Sequence, residues 1–267
     1  MKLRFVKVNP AQNMTILVTS PVPRASQPEI AARLMAYGSV FAEQVGFVEP
    51  PTIDGACARL QMMGGEFCGN ASMSLAAMLA WQGALADGAS TVYPLEVSGT
   101  NGIVRCTVTR DGEIFRAEAE MPLPKSIEPV QLEADLRVPV VRFDGIAHAI
   151  VPETALTKTQ AERKLFAWNR TIPTDAFGIL LTDDALTRIR PLVGVRATDT
   201  RVWERGCASG TAALGAYAAL QSGRDMKLRV NQPGGVIGVS ARVKGDALTE
   251  LTISTDVRIV ADGEAYI

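Results

Sequence analysis

The sequence predicts an α+β protein of two domains of similar plan, each a mostly antiparallel sheet wrapped around one central buried helix. Three observations predict it. The chain has 267 residues, long for one core and comfortable for two domains. Short runs of alternating apolar and polar residues, joined by turns rich in Gly, Pro and Asn, recur along it. A loop that opens into an apolar helix occurs twice, as Gly65-Glu66-Phe67-Cys68-Gly69-Asn70-Ala71-Ser72 and as Glu204-Arg205-Gly206-Cys207-Ala208-Ser209-Gly210-Thr211. The copies lie about 140 positions apart, far beyond the period of a solenoid. Aligned on their cysteines, Ser72 falls on Thr211, Leu75 on Leu214, Ala77 on Ala216 and Gln82 on Gln221.

The elements follow in order. Residues 3–8 alternate and read as a strand, and 14–19 as a second; Asn9-Pro10-Ala11-Gln12-Asn13 between them is turn chemistry. Ile30, Ala31, Leu34 and Met35 have helical spacing, with Pro28 at the start and Gly38 after the end. Residues 43–48 and 57–63 read as strands. The helix from Gly69 to about Gln82 is apolar on all sides and therefore buried, and Gly83 stops it. Strands are expected at 92–98, 102–109 and 114–121, with Asp111-Gly112 a hairpin signal. Met121-Pro122-Leu123-Pro124-Lys125 breaks helix and sheet alike and marks the domain boundary. Beyond it come strands at 137–143 and 146–151, an amphipathic helix over 157–168, and strands at 177–182 and near 191–197. The second cysteine helix covers about 208–222 and stops at Gly223. A strand at 227–230, the turn Gln232-Pro233-Gly234-Gly235, strands at 236–243 and 248–254, and a closing segment 257–267 complete the chain. The domains are thus 1–121, carrying Cys68, and 122–256, carrying Cys207, with 257–267 a strand that can pack back on the first.

Formal net charge is −1, with no polybasic arm, so nothing points to nucleic acid or an anionic membrane surface. No apolar run reaches the length of a membrane span, and the alternating start reads as a strand and not a signal peptide, so a cytoplasmic location is expected. Four cysteines, widely spaced and without Cys-x-x-Cys, suggest neither a disulfide framework nor a zinc site, and no metal is expected. Cys57 and Cys106, inside alternating strands, read as small core residues.

Cys68 and Cys207 read differently. Each sits where a loop turns into a helix, facing unpaired backbone N–H groups and the positive end of the helix dipole. Such a place can lower a thiol pKa from about 8.5 to roughly 3.5–7.5. Two activated thiols from two related halves suit one chemistry: one removes a proton from a carbon, and the other returns it on the opposite face. The N–H groups of Gly69, Asn70, Ser209, Gly210 and Thr211, with Ala208 between, can bind the carboxylate onto which the carbanion's charge spreads. No lysine sits in a phosphate cradle, so no cofactor is expected. Glu43, Glu66 and Glu204 are candidates for holding a substrate ammonium or managing thiol protons. Asn13, Asn70 and His148 are candidate polar contacts, and His148, in an apolar strand, reads equally as a hydrogen-bonded structural residue.

These residues resemble the diaminopimelate epimerase-like superfamily, whose marks are a Cys-Gly-Asn/His helix start in one half and a Cys-Gly-Ser/Thr-Gly-Thr start in the other. Here they stand as Cys68-Gly69-Asn70 and Cys207-Ala208-Ser209-Gly210-Thr211, with Asn13 and the Glu204-Arg205 pair. The nearest likeness is to the histidine racemases of opine-type metallophore biosynthesis. It is carried by Asn9-Pro10-Ala11-Gln12-Asn13-Met14-Thr15, Glu43-Gln44-Val45-Gly46-Phe47, Glu66 to Ser74, Gln232-Pro233-Gly234-Gly235 and Ala265-Tyr266-Ile267. The resemblance covers the whole chain. It implies the diaminopimelate epimerase-like fold of two pseudo-symmetric domains, an active site in the cleft between them, and racemisation of a small amino acid by two cysteines. A homodimer is the assembly it suggests. Three departures stand out. Ala71 and Met73 replace a glycine and an arginine of the epimerase pattern. Ala208 replaces a glycine, which is tolerable where φ is negative. Arg205 is epimerase-like and leaves open a substrate with a distal carboxylate. The readings are therefore a histidine racemase, a diaminopimelate epimerase, a racemase of another amino acid such as proline, an isomerase of the phenazine-biosynthesis type, which lacks the cysteine pair, or a non-catalytic amino-acid binder.

Overall fold

The computed structural model describes residues 1–196 and 199–267, and among the described residues there are sixteen strands and four α-helices. In chain order they are β1 (Lys2–Pro10), β2 (Thr15–Val18), α1 (Gln27–Met35), β3 (Gln44–Glu49), β4 (Ala58–Met62), α2 (Gly69–Gln82), β5 (Ser90–Val97), β6 (Ile103–Asp111) and β7 (Ile114–Glu120). There follow β8 (Ser126–Glu133), β9 (Leu136–Arg142), β10 (Ile146–Pro152), α3 (Lys158–Thr171), β11 (Ala176–Thr182), β12 (Ile189–Val195), β13 (Thr200–Trp203), α4 (Ala208–Ser222), β14 (Met226–Gln232), β15 (Gly235–Lys244) and β16 (Ala247–Tyr266). The fold is α+β and sheet-rich. Among the described residues no helix is long and apolar enough to cross a membrane.

The chain forms two compact units, Met1–Glu120 with Ser254–Ile267, and Met121–Ile253. In the first, strands run in the order β1-β2-β3-β4-β5-β6-β7, and β1 also pairs antiparallel with β16 from Lys2↔Tyr266 to Pro10↔Val257. Helix α2 packs against β1, β2, β4, β5, β6 and β7. Its residues Met73, Leu75 and Met78 are buried with the alanines around them, and each large apolar side chain so removed from water contributes roughly 1.5–3 kcal/mol. A second cluster joins Ile30 and Leu34 of α1 to Phe5, Ile16, Val45 and Phe47 of the sheet.

The second unit contains the sheet β13-β12-β11-β10-β9-β8 and the hairpin β14–β15. Helix α3 starts on a capping box, Thr157 with Gln160, and packs Leu165 and Trp168 onto this sheet. Helix α4 packs against β9, β10, β14 and β15. Its small residues permit close approach: a Cβ on Gly215 would lie 2.4 Å from Val239 Cγ2. The helix ends at Gly223 with φ +64°, the left-handed cap that glycine supplies most cheaply.

Several expectations are corrected. The sequence reading assigns no element between the breaker at 121–125 and the strand at 137–143, yet β8 occupies 126–133. Its Pro129 faces Pro139 of β9, and β8 is an edge strand, where a missing N–H costs no ladder bond. Strand β13 was not expected at all. The strands foreseen at 248–254 and 257–267 are one continuous strand, because nothing at Thr255-Asp256 breaks the extended chain. Three neighbouring pairs, β2–β3, β4–β5 and β10–β11, are parallel within the mostly antiparallel pattern. The strand expected near 191–197 ends at Val195; its last position, Ala197, lies outside the described residues.

Candidate active site

In the first unit Cys68 is the N-cap of α2, extended at φ −134° and ψ 109°. Its sulfur accepts the N–H of Ala71 at 3.4 Å, and its carbonyl accepts the N–H of Ser72 at 2.9 Å and the Ser72 hydroxyl at 2.8 Å. The thiol donates to Gln44 Oε1, 2.7 Å away at the start of β3. The preceding residue, Glu43, has its carboxylate held by Asn13 Nδ2 at 2.8 Å. Asn13 reaches it because the chain turns sharply after β1. Ala11 and Gln12 both take positive φ, Asn9 Oδ1 accepts the N–H of Gln12 at 2.7 Å, and Asn13 N–H closes on Pro10 O. Asn13 is buried, and its Oδ1 has no partner. Gly69 and Asn70 lie buried in the first turn of α2. Glu66 stands on the exposed turn before the helix. Its carboxylate folds back over Gly64, beside the N–H groups of Gly64 and Glu66, and its local desolvation pushes its pKa up.

In the second unit Cys207 caps α4 with nearly the same backbone, φ −117° and ψ 105°. Its sulfur accepts the N–H of Gly210 at 3.3 Å and lies 3.6 Å from Ser209 Oγ. Its carbonyl accepts the N–H of Thr211 at 3.1 Å and the Thr211 hydroxyl at 2.7 Å. The N–H bond to sulfur and both bonds to the carbonyl have their counterparts around Cys68. Ala208, where the family pattern has glycine, is the first residue of α4 and has no positive φ, so the methyl group is accommodated.

The surroundings of the two sulfurs differ. Burial drives the Cys207 thiol well above its ordinary range, and the Glu204 carboxylate beside it, accepting its hydrogen bond, drives it further. The Ser209 hydroxyl and the Gly210 N–H act the other way and lose. This corrects the expectation that a helix N-terminus alone would ionise the thiol: burial and the Glu204 carboxylate favour the protonated form of Cys207. A second correction concerns the anion-binding N–H groups. Those of Gly210 and Thr211 are already engaged by the sulfur and carbonyl of Cys207.

His148, 0% exposed, lies behind Ser209: its Nε2 is 3.0 Å from Ser209 Oγ. Burial lowers its pKa to about 3, so the ring is neutral at physiological pH. The room for the ring comes from Gly178, which faces His148 across β10–β11; a Cβ there would lie 2.2 Å from Nδ1. Arg205 is exposed and directs Nη2 to Pro233 O at 3.4 Å. Sequence reasoning assigned no role to Gln44 or Gln232, the two amides that touch the cysteines. Gln232 Oε1 accepts the Cys207 N–H and its Nε2 donates to Thr211 Oγ1, each at 2.7 Å. Both lie in stretches that carry the family resemblance, and that was their only signal.

Residues 2–266 match the family described as the histidine racemase CntK N-terminal domain. The chain is similar to a histidine racemase of Fusobacterium nucleatum subsp. nucleatum, 33% identical, the match covering 99% of this chain and 97% of that one. It is also similar to a histidine racemase of Staphylococcus aureus, 31% identical over 99% of this chain and 98% of the other. Among solved structures, a hydroxyproline epimerase of Agrobacterium vitis with bound trans-4-hydroxy-L-proline shares the fold. Its TM-score is 0.68 at 14% identity, with 98% of this chain and 90% of that chain covered.

Proposed function

The chain belongs to the histidine racemase family, and from that premise we propose that it interconverts L- and D-histidine with Cys68 and Cys207 as its two acid–base groups. The enzyme is an isomerase acting on a small amino acid. In this reading the two units are related halves, each contributing one thiol to one face of the α-carbon. The observation that carries it is the repeated helix start, in which each cysteine sulfur accepts the N–H three residues on and each cysteine carbonyl is held by the hydroxyl four residues on.

The substrate carboxylate binds at the first-turn N–H groups of the two helices, where the charge of the carbanion will spread. Glu204 takes the proton of Cys207, and the resulting thiolate removes the α-proton of one enantiomer. Cys68, its thiol held by Gln44, then delivers a proton to the opposite face. One proton leaves carbon and one arrives, and the substrate's charge is unchanged. For the other enantiomer the steps run in reverse: the Cys68 thiolate left by the first turnover removes the α-proton, Cys207 delivers its proton to the opposite face, and Glu204 returns the proton it holds to Cys207. Asn13 and Glu43 stand beside the Cys68 end to receive the substrate's polar groups, and Ser209, backed by neutral His148, stands at the Cys207 end. Removal of either thiol should cost about 10²–10⁴-fold or more, the usual contribution of a positioned acid or base. In the same reading the enzyme works in the cytoplasm and supplies D-histidine for an opine-type metallophore; the alternating, strand-like start supports the first and the likeness to histidine racemases the second.

The test is α-proton exchange in D₂O, followed by NMR, with L-histidine, D-histidine, proline and diaminopimelate under reducing conditions. Loss of the histidine signal with appearance of the mirror form supports the proposal. Exchange of diaminopimelate alone would replace it with the epimerase reading. Silence across all four contradicts it.

A further inference from the structure

The hairpin turn Gln232-Pro233-Gly234-Gly235 has no part in the chemistry above, yet it touches the catalytic loop at three points. Strands β14 and β15 pair to their very ends, Gln232↔Gly235, so the two-residue tip Pro233-Gly234 is rigidly placed. From it Gly234 donates its N–H to Arg205 O at 2.7 Å, two residues before the cysteine. Pro233 O accepts Arg205 Nη2 at 3.4 Å. Gln232 then reaches the cysteine itself. Its Oε1 accepts the Cys207 N–H, and its Nε2 donates to Thr211 Oγ1, whose hydroxyl donates to the Cys207 carbonyl at 2.7 Å. One buried amide therefore holds the cysteine peptide on its N–H side directly and on its C=O side through a threonine. With both peptide groups fixed, the Cα–Cβ bond of Cys207 has a fixed direction.

In the first unit a hairpin likewise bonds to the loop that precedes the cysteine. After α2 the chain again enters a hairpin, β5–β6. Ser98, just past β5, donates its hydroxyl to Glu66 O at 2.8 Å, again two residues before the cysteine, and accepts the N–H of Met62 at 2.9 Å. Gly99, at φ +74°, lies so close that a Cβ would come 2.2 Å from Phe67 N. A hairpin that follows each cysteine helix in sequence thus presses its tip on the loop that precedes it.

We infer that these hairpin tips are positioning clamps for the catalytic thiols, and that Gln232 is the positioning residue that sets the aim of Cys207. The inference rests on the two-cysteine reading for its catalytic consequence and on the hydrogen bonds alone for its structural one. In this inference Gln232 acts through the backbone of Cys207. A shift of about 1 Å in a reacting group can cost about 10²-fold in rate.

The experiment compares the full-length protein with Gln232→Leu and Gln232→Glu. Leucine keeps the bulk and loses both hydrogen bonds, so histidine kcat should fall about 10- to 100-fold with KM changed less than about threefold. Glutamate separates aim from packing. When protonated, the introduced carboxyl offers the same acceptor and donor as the amide; when ionised, it can no longer donate to Thr211. Burial raises a carboxyl pKa, so the activity of Gln232→Glu relative to the unmodified enzyme should climb as pH falls from about 8 to about 6, while the ratio for Gln232→Leu stays flat. Iodoacetamide labelling, read by mass spectrometry at each cysteine, gives a measure independent of turnover. In Gln232→Leu the Cys207 rate should rise at least about fivefold, because thiol reactivity follows exposure, with the Cys68 rate unchanged. Wild-type kcat in Gln232→Leu, a pH-flat ratio for Gln232→Glu, or equal labelling changes at both cysteines would overturn the clamp. If Gln232→Leu does not fold, the isosteric Gln232→Glu decides by its pH ratio. If the unmodified protein exchanges no α-proton at all, the catalytic reading falls, and the labelling rates still test the clamp.

Discussion

Glu204→Gln changes one atom and should disable the enzyme while leaving its fold intact. In the resting site the Cys207 thiol donates to the Glu204 carboxylate, and burial together with that charge keeps the thiol protonated. The substitution removes the charge and the proton acceptor while keeping the shape. Two consequences oppose each other. The thiol becomes easier to ionise, because the neighbouring negative charge is gone, but it remains buried and no longer has a base to receive its proton. The second should dominate, since a positioned proton acceptor contributes about 10²–10⁴-fold. At 1.36 kcal/mol per decade that is about 3–5 kcal/mol of barrier. The assay is initial-rate racemisation of L- and of D-histidine followed by chiral chromatography across pH. The variant should show kcat reduced at least about 100-fold, with part of the loss recovered as pH rises and hydroxide replaces the missing base. Because the residue is half-buried and its loss removes a charge beside a buried thiol, the melting temperature should stay level or rise. A kcat within about twofold of the unmodified enzyme would refute the assignment of Glu204 as the acceptor.

Three further predictions follow from the same geometry. Gly178→Ala forces a methyl group against His148, so overpacking should cost about 1–3 kcal/mol in a denaturant titration and should also lower kcat by displacing Ser209; unchanged stability and rate would refute the packing argument. Burial raises the pKa of Cys106 and of Cys207, so the native state holds protons that the unfolded state releases above about pH 8.5. Stability is then fully present below that pH and should fall by up to about 1.4 kcal/mol per pH unit per thiol above it; Cys106→Ala should flatten the slope in urea titrations at alkaline pH. His148 shows the opposite sign, since its folded pKa is depressed to about 3: the stability it contributes is present above about pH 6.5 and is lost as pH falls toward 3, by up to about 1.4 kcal/mol per unit. Acid titrations of His148→Gln should lack that part of the slope.

Much of this was legible before any coordinates. The two cysteine helices announced themselves because a helix apolar on every side can only be buried, and because a duplicated local pattern needs no long-range information. The turn at Asn9–Asn13 was equally local. What escaped detection depends on strand register. Gln44 meets Cys68 only because β3 runs beside β2, and Gln232 meets Cys207 only because the β14–β15 hairpin folds over the start of α4. An amide in a strand carries no periodic signal. Strand β8 was hidden by its prolines, which an edge position tolerates. The ionisation of Cys207 went against the local argument for a physical reason: the dipole of a helix N-terminus acts within its first turn, but burial and the neighbouring Glu204 carboxylate act on the same sulfur and are stronger.

The central claim is that Cys68 and Cys207 serve opposite faces of one stereocentre. The most direct measurement is α-deuterium incorporation into each enantiomer of histidine by Cys68→Ala and by Cys207→Ala. With one thiol left, each variant should exchange the proton of a single enantiomer without inverting it, and the two variants should prefer opposite enantiomers. Equal exchange of both enantiomers by either variant, or racemisation at the unmodified rate, would contradict the account.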